Sequence, residues 1–110
     1  CHIGNAAEVK NSIVMNNSDI PHQNYVGDSI IGEGCNLGAG TKIANLRLDE
    51  QNIWVDGKNT KRRKLGAILG DGVKTGINAS INIGTMIGNN TQIGPGAVAS
   101  GIILPDSRIS

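Results

Sequence analysis

With 110 residues, 10 basic against 9 acidic side chains and a formal charge of +1, the chain has room for one domain. It carries no broad field that would recruit nucleic acid or an anionic membrane. Sixteen glycines, no phenylalanine, one tyrosine and one tryptophan exclude an aromatic core and predict a narrow one lined by Ile, Val, Leu and Ala.

The chain opens at Cys1 and is in a repeat by Ile3, which suggests a domain of a longer protein. Ile3, Val9 and Met15 fall six residues apart. A five-residue step from Val26 leads to Ile31, and the beat resumes at Leu37 and Ile43, with Gly32 and Gly38 following their aliphatic residues. It returns at Leu69, Thr75, Ile81, Ile87 and Ile93, with Gly70, Gly76, Gly88 and Gly94 in the next place and Asn82 as the exception. Small residues recur four places after the inward position: Ala7, Cys35, Thr41, Val73, Ala79, Thr85, Thr91 and Ala97.

A helix would space its apolar residues at three and four, and an ordinary strand would alternate over a longer run. A six-residue beat is the hexapeptide signature of a parallel β-helix, in which each short strand forms one face of a triangular prism and three make a coil. Glycine and asparagine suit its corners because they tolerate left-handed backbone. We count about fourteen faces, or under five coils. Flat exposed faces around so narrow a core predict assembly with further copies of the chain.

Between Ile43 and Leu69 the beat stops for an insert, "LRLDEQNIWVDGKNTKRRK", residues 46–64. Asp56-Gly57, between "NIWV" and "KNTKR", predicts a two-residue hairpin turn. Trp54 on this hairpin is either a packing contact on a neighbouring subunit or a ligand contact. Lys61, Arg62, Arg63 and Lys64 form the only dense basic run, which is either a solvated loop or a phosphate site.

No apolar run approaches the ~20 residues of a membrane span, and no signal-like segment opens the chain. A soluble, cytoplasmic protein is expected, without membrane or nucleic-acid partners. Cys1 and Cys35 lack a metal-type spacing and read as reduced thiols. His2 and His22 are too few for a three-histidine zinc site, so no metal is predicted. The threonines do not form the long ranks of an ice-binding face. Two functions remain: acyl transfer, with a histidine taking a proton from an attacking amine, or a non-catalytic oligomerisation module.

The stretch "PHQNYVGDSIIGEGCNLGAGTKIAN", residues 21–45, resembles the acetyltransferase domain of the bifunctional enzymes that make UDP-N-acetylglucosamine. "TKIANLRLDE" and "RRKLGAILGDGVKTGIN" are similar to archaeal sugar-1-phosphate nucleotidylyltransferases with a C-terminal β-helix of this kind. The His-x-x-Tyr-x-Gly-Asp and Asn-x-Gly-Ala-Gly-Thr elements are its most specific parts. The resemblance implies an all-β, left-handed parallel β-helix over residues 1–110 that trimerises, with a nucleotidyltransferase domain outside these residues. It implies acetyl transfer from acetyl-CoA to the amine of glucosamine or galactosamine 1-phosphate.

Position by position, His22 matches the family's general base and Glu8 matches the carboxylate that orients it. Lys10, Tyr25, Asn36 and Lys64 match residues that hold the amino-sugar phosphate, and Asn45 matches one near the acetyl group. Ala39, Ile77 and Pro95 match the line followed by the pantetheine arm. The beat agrees with this last group, since each stands two places after an inward residue, at Leu37, Thr75 and Ile93.

Overall fold

Two-residue strands separated by tight corners are what a six-residue beat produces, and the computed structural model, which describes residues 1–110, consists of little else. Face A stacks His2–Ile3, Asp19–Ile20, Asn36–Leu37, Lys74–Thr75, Gln92–Ile93 and Arg108–Ile109. Face B stacks Glu8–Lys10, Tyr25–Gly27, Lys42–Ile43, Ser80–Ile81 and Val98–Ala99. Face C stacks Ile13–Val14, Ile30–Ile31, Ile68–Leu69, Met86–Ile87 and Ile102–Ile103. Every pairing within these stacks is parallel, with equivalent residues opposite one another, as in Leu37 beside Thr75 and Thr75 beside Ile93. The expected all-β parallel β-helix is therefore the fold.

The second residue of each strand points inward. Ile20, Val26, Ile31, Leu37, Ile43, Leu69, Ile81, Ile87 and Ile93 form one continuous buried column. Small residues four places on close the corners from inside, and the polar ones among them are satisfied. Thr41 and Thr75 share a hydroxyl hydrogen bond of 2.7 Å, and Thr85 donates to the Asn82 carbonyl at 2.7 Å. No buried side-chain polar atom lacks a partner, which this narrow core requires.

Three details differ from the sequence expectation. Val14 rather than Met15 takes the inward place, because the step from Val9 is five residues and leaves Met15 exposed. The prism has sixteen strands rather than fourteen, because a four-residue step from Ala99 to Ile103 adds Ile102–Ile103 and Arg108–Ile109. The glycine after each inward residue is needed for close approach rather than for left-handed backbone. A Cβ on Gly76 would lie 2.6 Å from the nitrogen of Pro95 in the next coil, and one on Gly38 would lie 2.6 Å from the carbonyl carbon of Gly76. Left-handed φ falls two places later, at Gly40, Asn78 and Gly96.

Steps from face A to B and from C to A are all six residues. The B-to-C steps are five, five, 26, six and four. All length variation in the repeat is therefore confined to one edge, and the insert leaves from that edge.

The insert folds as expected into a hairpin, Trp54–Val55 against Lys58–Asn59. Its turn residues Asp56 (φ 50°) and Gly57 (φ 74°) are both left-handed, the type I′ geometry. Ile53 is fully buried and pins the insert to its own prism, where Gly84 leaves room for Ile53 and Val55. Trp54 stays 56% exposed.

The outward residues differ by face. Face A shows only polar side chains, His2, Asp19, Asn36, Lys74, Gln92 and Arg108. Face C shows only apolar ones, Ile13, Ile30, Ile68, Met86 and Ile102, each 37–56% exposed. Face B is mixed, with Glu8, Tyr25, Lys42, Ser80 and Val98.

Leu37 stands fully buried in the middle of the column. Leu37→Ala is expected to lower unfolding stability by about 2–5 kcal/mol, because neighbouring coils fixed by backbone pairing cannot collapse into the cavity. Chemical denaturation checks this, and a loss well under 1 kcal/mol would mean that the column is not what holds the coils together.

Candidate active site

The edge between faces A and B carries a straight line of corner residues. Asn5, His22, Ala39, Ile77 and Pro95 each follow an inward residue by two places. Backbone hydrogen bonds tie successive corners together: Gly40 N–H to the His22 carbonyl at 3.0 Å, Asn78 N–H to Ala39 at 2.8 Å and Gly96 N–H to Ile77 at 2.9 Å. The amides of Asn5, Ala39 and Ile77 donate to no backbone carbonyl of the chain, so three N–H groups on this edge are unpaired, those of Ala39 and Ile77 in adjacent coils. Pro95 has none to offer. The His22 side chain is exposed and makes no hydrogen bond, while its backbone is held by the Asn24 carboxamide at 3.0 Å.

The edge between faces B and C is polar and tightly bonded. Asp28 (φ 50°) stands at its centre. Its Oδ1 accepts from Asn11 Nδ2 at 2.6 Å in the coil before, and its Oδ2 accepts from Asn45 Nδ2 at 2.7 Å in the coil after. Asn45 Nδ2 also donates to the Tyr25 hydroxyl at 3.0 Å. Partial burial pushes the Asp28 carboxyl up, but the hydrogen bonds from Asn11 and Asn45 and the fields of Lys64 and Lys10 outweigh it and hold it below the ordinary aspartate value. Asp28 is therefore ionised at neutral pH.

The basic run ends at this same place. Lys61, Arg62, Arg63 and Lys64 line a groove with Asn11 and Asp28. Lys64 closes the root of the insert by bridging to Leu46, and the next residue, Leu65, donates its N–H to the Asn45 carbonyl at 3.0 Å.

The matched residues thus frame face B. His22, Ala39, Ile77 and Pro95 lie on its A side, Tyr25 and Glu8 stand opposite one another in adjacent strands of the face, and Lys10, Asn45 and Lys64 lie toward its C side. Two features do not come together. Glu8 makes no ion pair with His22, since Arg47–Asp49 at 2.6 Å is the chain's sole ion pair. Asn36 points out from face A, paired between Asp19 and Lys74, around the corner from Tyr25 and Asn45. Asp28 and Asn11 are the residues of this candidate site that the sequence reading did not single out. The available signal was the Gly-Asp that ends the Tyr-x-Gly-Asp element at a shortened corner.

These geometries can be set beside known proteins. The chain is 48% identical over 110 residues to a "Bifunctional protein GlmU" of Methanococcus aeolicus, covering 97% of this chain and 27% of that one. It is 52% identical over 102 residues to a "Bifunctional sugar-1-phosphate nucleotidylyltransferase/acetyltransferase" of Sulfurisphaera tokodaii, covering 89% of this chain and 25% of that protein. The chain therefore spans about a quarter of the length of the curated relatives it matches. Among solved structures, serine acetyltransferase 1 of Entamoeba histolytica, in complex with L-cysteine, aligns with a TM-score of 0.70 at 18% identity, over 93% of this chain and 38% of that one. That likeness is one of fold. The family model described as the GMPPB C-terminal domain matches residues 1–83, and the chain belongs to that family.

Proposed function

We propose that this domain transfers an acetyl group from acetyl-CoA to the amine of a hexosamine 1-phosphate, directly and with His22 as general base. The observation that carries this reading is the A–B edge, which aligns an unpartnered imidazole with the unpaired amides of Ala39 and Ile77. An extended pantetheine arm can pair with such an edge as a peptide pairs with a sheet. Similarity to the bifunctional relatives supports the same chemistry.

In the reaction, the amine must be deprotonated to attack, and a histidine is suited to accept that proton near neutral pH. The amine nitrogen forms a bond to the thioester carbonyl carbon and the C–S bond breaks. The sulfur leaves as the coenzyme thiolate and recovers a proton. The Ala39 N–H stabilises the tetrahedral oxyanion. Tyr25 and the cations Lys10 and Lys64 receive the sugar phosphate.

The working unit is a homotrimer. The apolar rank Ile13, Ile30, Ile68, Met86 and Ile102 supports this, because a contiguous exposed apolar face on a soluble domain marks an interaction surface. Trimerisation offers Asn36 a place in the site, contributed by a neighbouring copy. It also gives Glu8 a closed cleft in which to orient His22. The apolar face equally suits a non-catalytic trimerisation module, so the histidine is the deciding residue.

In the full-length protein, His22→Ala is expected to lower the acetylation rate about 10²- to 10⁴-fold. Retention of most of the rate would return the domain to a structural role. Lys64→Ala should raise KM for the sugar phosphate about tenfold and leave KM for acetyl-CoA nearly unchanged, while the reverse pattern would exchange the two pockets. Ile68→Lys combined with Met86→Lys should convert the trimer to monomer in sedimentation, and a persisting trimer would remove face C from the interface.

A further inference from the structure

The polar edge fixes the chemistry of Asn45 more tightly than its identity alone. An ionised carboxylate only accepts hydrogen bonds, so Asn45 must turn its amide nitrogen, not its carbonyl oxygen, toward Asp28. Both amide hydrogens are then used, one on Asp28 Oδ2 at 2.7 Å and one on the Tyr25 hydroxyl at 3.0 Å. What Asn45 has left to offer is its carbonyl oxygen. The Tyr25 oxygen accepts from Asn45, which leaves its own proton free to donate. Gly27 is part of the same device, since a Cβ there would lie 2.7 Å from Asn45 Nδ2 and would overlap the Tyr25 hydroxyl. The glycine vacates the space in which the two side chains meet.

We propose that Asp28 is a positioning residue that locks the Asn45 carboxamide with its carbonyl facing the cleft, so that Asn45 acts as an acceptor and Tyr25 as a donor toward the substrate. The ligand group read at Asn45 is then an N–H or O–H, and the group read at Tyr25 is an oxygen acceptor. An amino sugar bearing a phosphate supplies both. The sum of charges agrees, because Lys10 and Lys64 flank Asp28: the carboxylate keeps the amide aligned while the two cations remain available for phosphate. This assignment rests on the acetyltransferase reading above.

The test is a double-mutant cycle on the full-length protein with acetyl-CoA and glucosamine 1-phosphate. Asp28→Asn retains the side-chain type that tolerates the left-handed backbone of this position but removes the obligate acceptor. It is expected to lower kcat about 10²-fold, the effect of a misaligned contact, with KM for acetyl-CoA nearly unchanged. In an Asn45→Ala background the same substitution should cost less than about 3-fold, because residues acting through one another are not additive. Equal losses in both backgrounds, or full activity of Asp28→Asn, would overturn the proposal. Wild-type protein with no acetyl transfer would instead overturn the underlying reading of function. A second measurement needs no folded variant: the side-chain amide protons of Asn45 should exchange more slowly with solvent than those of exposed Asn59. Equal rates would mean that the amide is not held, and the proposal would fall.

Discussion

Each coil lies directly on the next, backbone against backbone, and the rest of the molecule follows from that contact. Parallel strands pair at about 4.8 Å, so a side chain pointing along the prism axis has no room. Glycine is therefore required after the inward residue at Gly38 and Gly76, where the next coil's backbone would stand 2.6 Å from a Cβ. Side chains can go only inward, to the narrow aliphatic column, or outward, to one of three flat faces. Such a frame has almost no freedom to shape a pocket within one chain. It positions functional groups instead by stacking them in lines, and a site arises where two lines flank one face.

The two lines have different characters because the corners do. At the A–B edge every step is six residues, so the corners superpose and their free amides fall in a row. Such a row suits an extended arm. At the B–C edge the steps vary from four to 26 residues. Shortened corners bring Asn11 and Asp28 within bonding distance of each other, and the long step delivers Lys64 next to Asn45. The polar cluster of Asn11, Asp28, Asn45 and Lys64 lies along this edge, where the first three steps depart from six residues. The three outer faces differ in kind, with polar A carrying Asn36, apolar C carrying Ile13, Ile30, Ile68, Met86 and Ile102, and mixed B lying between the two lines of corner residues.

Much of this was legible in the residues. The six-residue beat from Leu69 to Ile93 identified the coil, and Asp56-Gly57 identified the hairpin turn. Ala39, Ile77 and Pro95, which the family resemblance pointed to, stacked as the count of sixes agreed they should. What escaped was what linear spacing does not encode. Val14 was hidden because both it and Met15 are apolar, and only the five-residue corner decides between them. The last two strands were hidden by the four-residue step at Ser100-Gly101. Ile53 gave no sign that it would pin the insert to Gly84, a contact between distant positions. Asp28 gave no sign of its bonds beyond its place in the Tyr-x-Gly-Asp element, because its partners Asn11 and Asn45 stand 17 positions away on either side and become neighbours only once the coils stack. Asn36 matched its family position, although the beat from Val26 through Ile31 to Leu37 already sets it on a different face from Tyr25, as the structure does.

The central claim is that the stacked edges of this prism form an acetyl-transfer site. The most direct measurement is coenzyme A thiol release when the full-length protein is mixed with acetyl-CoA, with and without glucosamine 1-phosphate or galactosamine 1-phosphate. The account predicts thiol release that depends on the amino-sugar phosphate and saturates with it. Sugar-independent release, or none from folded protein, would contradict it.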